Sequence, residues 1–369
     1  MTEDYWQILH AALWRDETLP AASGSYTAGE WGGLVEQFAR QGIGPLVFPL
    51  LTGVEGVPSN ILMLMKSVCV QTMQQHVRLQ HTLDVAWAAL EQAGIHAVLM
   101  KGRGLAAFYP EPQMRQWGDI DLFVGKEQYH PACAVMRDTF PDALKFDEEL
   151  DHYRHYNLIA DGISIEVHRV SVSMQHPCDE RRYAHMERDG MTHNMPLPVN
   201  GKEVRVPEPT FNALFVFLHS WEHMLTEGAN LRQLCDLALL LHHYQGQIDG
   251  KRLRKYLRAL HVTDVWQLYM YIIVRYIGLS ETEAQGYTNR CAARAEALLR
   301  DLLSGQMTAP KAQTEAPANR IKRKIHTMRE RLANARRINK YSPSYARHMV
   351  WTIILHGAGR FFAKDRHWE

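Results

Sequence analysis

Asp119 and Asp121 stand one residue apart in Arg115-Gln-Trp-Gly118-Asp119-Ile120-Asp121-Leu122-Phe123-Val124, two carboxylates inside an apolar run. In an extended strand residues i and i+2 project from one face, so both acids would share a side while Ile120, Leu122 and Val124 turn to the core. Adjacent carboxylates repel each other and resist burial unless a cation neutralises them, which makes the pair a candidate ligand set for a divalent metal. An edge strand with its polar face in water is the alternative these residues alone leave open.

A third acid, Glu166, lies in Ile163-Ser-Ile-Glu-Val-His168. If that strand lies beside the first, the three carboxylates form one pocket able to hold two Mg²⁺ or Mn²⁺ ions about 4 Å apart, a spacing suited to in-line displacement at phosphorus. Lys101 and Gly102, at the end of the run Ile95-His-Ala-Val-Leu-Met100, would complement them. Glycine lets backbone N–H groups approach a triphosphate and lysine offers it a point charge. Lys101 could equally pair with the aspartates, and Arg115 could either steer phosphate or brace the acids.

The elements that must position these groups follow from periodicity. Residues 4 to about 94 are helical, the longest stretch running from Pro58 to Gly94. A short strand over 95–100, a glycine turn and a helix come next. The aspartate strand is followed by a helix from about Lys126 to Thr139. Two strands, Tyr153–Ala160 and Ile163–His168, flank Asp161-Gly162, a strong hairpin signal. A last strand is expected at Glu203–Val206, and helices from Thr210 to the end, broken by a polar, proline-containing segment around Thr308 to Pro317. This is an α+β chain with helical flanks rather than a repeating βαβ sheet. Its expected parts are an N-terminal helical region over 1–94 packed on the core, a core over 95–208, a helical domain over 209–308 and a basic helical extension over 309–369.

Composition bounds the function. The 369 residues are 46% hydrophobic and 22% charged, enough for two or three domains. Lys plus Arg (41) and Asp plus Glu (40) nearly cancel, so no global field marks a nucleic-acid or membrane binder. Cys69, Cys133, Cys178, Cys235 and Cys291 are scattered, without a Cys-x-x-Cys pair, which argues against a disulfide framework or a structural zinc site. Without a signal-peptide pattern or a membrane-length apolar run, a cytoplasmic location is expected.

Together, Leu99-Met-Lys101-Gly102, Tyr109-Pro110, Arg115, Gly118-Asp119-Ile-Asp121-Leu-Phe-Val and Ile165-Glu166-Val-His168 resemble the uncharacterised nucleotidyltransferase family of the polymerase-beta-like superfamily. The resemblance continues through His219, His223, Leu231-Arg232 and Asp236-Leu-Ala-Leu. It implies a minimal nucleotidyltransferase core with a small mixed sheet, in which Asp119, Asp121 and Glu166 are the catalytic metal ligands. Lys101, Gly102, Arg115 and Gly118 would then meet the nucleotide, an NTP such as ATP, with Mg²⁺ or Mn²⁺. The wider superfamily usually carries Gly-Ser at the turn before the acids; Lys101-Gly102-Arg103 here marks a subclass. The implied reaction moves an NMP from the NTP to an acceptor hydroxyl on a small molecule, protein or RNA.

Two further signals point elsewhere. His219-Ser-Trp-Glu222-His223 spells the His-x-x-Glu-His arrangement of inverted zinc peptidases, although the apolar run before it, Phe211 to Leu218, reads as a core helix. Between Arg320 and Lys340 the chain carries nine Lys or Arg residues and one acid, Glu330, with Ile321, Ile325, Met328, Leu332 and Ala335 at helical spacing. That basic face suits an anionic partner, and a non-catalytic nucleotide or RNA binder using this helix is the alternative function.

Overall fold

Glycine-free and proline-free from Ser59 to Gln92, the longest apolar-periodic stretch forms a single 34-residue helix in the computed structural model, stopped at Ala93 and a left-handed Gly94 (φ 70°). The structure describes residues 2–15, 26–116, 118–146, 150, 152–174, 177–226, 228–305 and 320–362. Helices α1 (Glu3–Trp14), α2 (Ala28–Arg40) and α3 (Gly44–Leu51) precede this long helix, α4. Thr27 and Glu30 close a capping box at the start of α2.

The middle of the chain runs β1 (Val98–Met100), α5 (Gly102–Ala106), β2 (Ile120–Phe123), α6 (Gly125–Thr139), β3 (Leu144–Lys145), β4 (His155–Ala160), β5 (Ile163–His168), α7 (Pro177–Thr192), β6 (Met195–Val199) and β7 (Lys202–Val206). The first five strands form one sheet in the order β1-β2-β5-β4-β3, parallel only between β2 and β5. Asp161 (φ 52°) and Gly162 (φ 74°) are both left-handed, as the two-residue turn between β4 and β5 requires. β6 and β7 form a separate hairpin around Asn200-Gly201.

Helices α8 (Pro209–Thr226), α9 (Leu231–His243), α10 (Gly250–Ala259), α11 (Thr263–Ile272), α12 (Ala292–Leu303), α13 (Arg320–Asn339) and α14 (Pro343–Phe362) complete the described chain. The expected polar break around 308–317 lies outside the described residues, as do the side chains of Ile321 and Ile325 and those from 354 onward. Ala335 and Ile338 anchor α13, Met349 anchors α14, and Met328 stays exposed. Among the described residues, no helix is long and apolar enough to cross a membrane.

Two apolar clusters explain how the sheet is held. Ile120, Leu122, Val124, Ile163, Ile165 and Val167 pack with α6 and with Leu79, Leu83, Trp87 and Leu90 of α4. The other cluster joins α1–α3 to the later helices and takes Val98, Met100 and Phe123 from the opposite sheet face. The N-terminal helices therefore divide: α4 supports the sheet while α1–α3 join the helical body. The period-2 alternation of β2 and β5 leaves their polar side chains facing that body.

Candidate active site

Parallel pairing of β2 with β5 places Asp121 opposite Glu166, and Phe123 opposite His168. Asp119 precedes Asp121 by two residues and His168 follows Glu166 by two, so all four project from the same face. The antiparallel register of β4 adds His155, opposite His168, and Asn157, opposite Glu166.

Cations already lean on this acid row. Lys101 Nζ lies 2.8 Å from Asp121 Oδ1. Fully buried His168 puts Nε2 at 3.0 Å from both Asp121 Oδ1 and Glu166 Oε2, while its Nδ1 faces the carbonyl of Val170 at 3.3 Å. With acceptors at both nitrogens, the doubly protonated ring satisfies the geometry. Burial opposes that charge, but the bonds to Asp121 and Glu166 outweigh it and raise the His168 pKa. Burial likewise works against ionised Glu166, yet the bond and charge of His168, with Lys101, hold its carboxyl well below the usual range. His155, 4.0 Å from Glu166 Oε1, is pushed down to about 4, chiefly by burial.

Asp119 is the opposite case. It stands at the exposed mouth of the row, where loss of solvent around the carboxyl and repulsion from Asp121 and Glu166 push it up to about 6. Lys101 and a hydrogen bond with Ser164 offset only part of this.

The turn beneath the acids is strained. Lys101 adopts φ 49°, ψ −143°, which L residues seldom occupy. A Cβ on Gly102 (φ 35°) would lie 3.1 Å from the carbonyl oxygen of Asp119, so glycine at this position lets the turn lie against the entry to β2. Gly118 is exposed, with open space where a side chain would project. Arg115 points away from the acids: Nε and Nη2 each bond Asp236 at 2.7 Å, and Tyr109 donates to the same carboxylate at 2.7 Å.

The sequence model of a family described as uncharacterised nucleotidyltransferase matches residues 27–278. The chain belongs to this family. No curated protein matches it. Among solved structures, an antigenic nucleotidyltransferase-like protein from Paracoccidioides brasiliensis is 15% identical, over 57% of this chain and 93% of that one, at a TM-score of 0.33, a likeness too slight to guide any reading of the site. For this nucleotidyltransferase-family chain, the acid row on the five-stranded sheet is the natural focus.

His168 and His155 are the site residues to which the sequence reading assigned no role. The signal for His168 is the i+2 rule that pairs Asp119 with Asp121. His155 follows from hairpin register, since a two-residue turn at 161–162 sets residue 155 opposite 168. His219 and His223 bond each other at 3.0 Å (Nε2 to Nε2), and Glu222 pairs with Arg154 at 3.2 Å. Burial, then the charge of Lys101, keeps His219 neutral.

Proposed function

We propose that this chain is a metal-dependent nucleotidyltransferase that moves an NMP from an NTP to an acceptor hydroxyl, with residues 95–208 as its catalytic core. Family membership supports nucleotidyl transfer. The observation that carries the metal-dependent reading is the register of Asp121 with Glu166, which together with Asp119 gathers three carboxylates on one sheet face.

Carboxylate oxygens are the ligands a hard divalent cation takes, and because the three ligand atoms on this face that lie within 4.8 Å of one another are those of His155, Glu166 and His168, an ion at the three carboxylates would have to draw their side chains together. Loss of solvent, then repulsion from Asp121 and Glu166 that Lys101 only partly offsets, pushes Asp119 up to about 6, a repulsion that a bound cation would relieve. Asp119, Asp121 and Glu166 would hold Mg²⁺ or Mn²⁺, which when bound supplies charge neutralisation at phosphate oxygens. His168 keeps Glu166 ionised, making it a ligand rather than a strong base. Lys101 presents its charge at the phosphate end, Gly102 leaves the backbone open beside it, and Gly118 leaves space at the mouth. Arg115, locked to Asp236, would act on phosphate only through the position of its loop.

The test is incubation with labelled NTPs, Mg²⁺ or Mn²⁺ and a cell extract. Transfer of label that Asp119→Asn or Glu166→Gln abolishes, in variants with wild-type circular dichroism, is the expected result. Calorimetry showing that neither metal nor NTP binds, or that both bind the amide variants unchanged, would overturn the proposal.

A further inference from the structure

A second group of metal-ligating side chains lies away from the acid row, where α7, the end of α10 and α14 meet. Asp179, His261 and His348 bring one ligand atom each to within 4.8 Å of one another. We propose that these three residues bind a transition-metal ion of the zinc class, with its remaining position open to water.

The donor set is the first support. Two imidazoles and one carboxylate suit zinc-like ions, and three protein ligands with one exchangeable position is a recognised zinc arrangement. The carboxylate is prepared for the task. Arg182 Nη1 holds Asp179 Oδ1 at 2.9 Å and also donates to the carbonyl of Ala259 at 3.2 Å, so Oδ2 is presented to His348 Nε2 at 2.6 Å. Such outer contacts orient a ligating carboxylate. Ligands bonded at ~2.0–2.1 Å in a tetrahedral shell stand roughly 3.3 Å apart, so Oδ2 and Nε2 need open by less than ~1 Å while the widest of the three pairs, at up to 4.8 Å, closes by up to ~1.5 Å.

The backbone at His261 is the second support. His261 donates to the carbonyl of Arg258, and Val262 to that of Leu257, the paired bonds of a Schellman stop at the end of α10. Its left-handed position (φ 59°) is one where glycine is the usual and least strained residue. This chain instead carries a histidine beside His348, the two rings stacked with centroids 4.0 Å apart and planes at 25°, so binding requires the His261 ring to turn until its nitrogen lone pair meets the ion. Non-glycine residues held in this region cluster at functional sites.

Third, a cavity of about 30 Å³ adjoins Asp179 and His348, walled by Leu218, Leu260, Val262 and Tyr345. His261 does not line this space, so it offers room for an ion-bound water only on the side of Asp179 and His348. An ion there would fasten α14 to α7 and to the α10 terminus.

The test uses the untagged full-length chain in a Glu166→Gln, His155→Gln background, which breaks up the other close ligand group, His155, Glu166 and His168, with Zn²⁺ added alone and Co²⁺ as a spectroscopic probe. One equivalent of Zn²⁺, a raised melting temperature and tetrahedral Co²⁺ absorption bands are expected. His261→Gly removes a ligand while giving the stop its preferred residue, so this variant folds, and its Zn²⁺ affinity should fall at least tenfold with loss of the thermal shift. His348→Gln should behave likewise. A background protein that binds no Zn²⁺, or a His261→Gly variant with unchanged affinity, would show that Asp179, Arg182 and His348 form only an ion-pair brace and would overturn the proposal.

Discussion

Arg115 and Asp236 meet in a two-pronged ion pair, 2.7 Å at each contact and nearly sealed from water, that ties the loop before β2 to α9. Breaking such a pair from one side strands a buried charge, so Arg115→Met should lower unfolding free energy by about 3–5 kcal/mol. Arg115→Met with Asp236→Leu should recover much of that loss. Urea denaturation of the two variants checks both statements. NTP affinity that falls in the single variant and returns in the double would show that Arg115 serves the site through loop position.

At the acid row, Asp119→Asn should leave the metal-free protein as stable as the parent or more so at neutral pH, because it removes an ionised carboxylate that its neighbours repel. It should also abolish the rise in melting temperature on adding Mg²⁺ and NTP. Scanning fluorimetry with and without Mg²⁺ reads both effects, and a variant that simply unfolds would contradict the first.

Gly102→Ala introduces a Cβ 3.1 Å from the Asp119 carbonyl oxygen at a left-handed position. A cost of about 1 kcal/mol in stability is expected from the backbone alone. Displacement of Asp119 should add a loss of Mg²⁺ affinity that Gly118→Ala, with open space around it, does not share. Calorimetric titration of both variants separates strain from site geometry.

Glu187 supplies a pH signature independent of the active site. It is 6% exposed, bonds the Ser171 backbone at 2.7 Å and its hydroxyl, and is pushed up to about 7 by burial. Between pH 4.5 and 7 the folded state therefore binds more protons than the unfolded one, and stability falls as pH rises through this window. The total is about 3.5 kcal/mol at most, from ~1.4 kcal/mol per pKa unit over the rise from 4.5 to about 7. Unfolding curves at a series of pH values should show this slope in the wild type and a shallower one in Glu187→Gln.

Exposed Arg329 and Arg336 test the basic helix α13. Changing both to Glu should weaken retention on heparin and flatten its salt dependence, while Mg²⁺ and NTP binding stays at the wild-type value. Loss of nucleotide binding in this variant would place the helix in the catalytic site instead.

Much of the site was legible because it rests on local rules. Strand alternation joins Asp119 to Asp121, and the Asp161-Gly162 turn fixes the β4–β5 register. What local rules do not carry is partner choice between distant strands. Nothing in residues 120–123 specifies parallel pairing with 163–168, and that pairing decides whether Glu166 joins the aspartates. Arg115 shows the same limit: its sequence neighbours are the site acids, yet its partner lies 121 residues away. Strand β6 escaped because Pro196 and Pro198 argue against a strand, and only its place at an edge beside β7 permits them. Helix α7, its charged residues outnumbering its apolar ones, escaped for want of a clear apolar stripe.

The parallel seam between β2 and β5 has a consequence for the chain as a physical object. The first two acids and the third are separated by α6, β3 and β4, so a cleavage anywhere from Val124 to Asp161 severs the covalent path between them. A nascent chain released before Glu166 would carry the aspartates without their counterpart and could not gather the full charge. The acid row is therefore complete only once β5 has been made and has paired with β2.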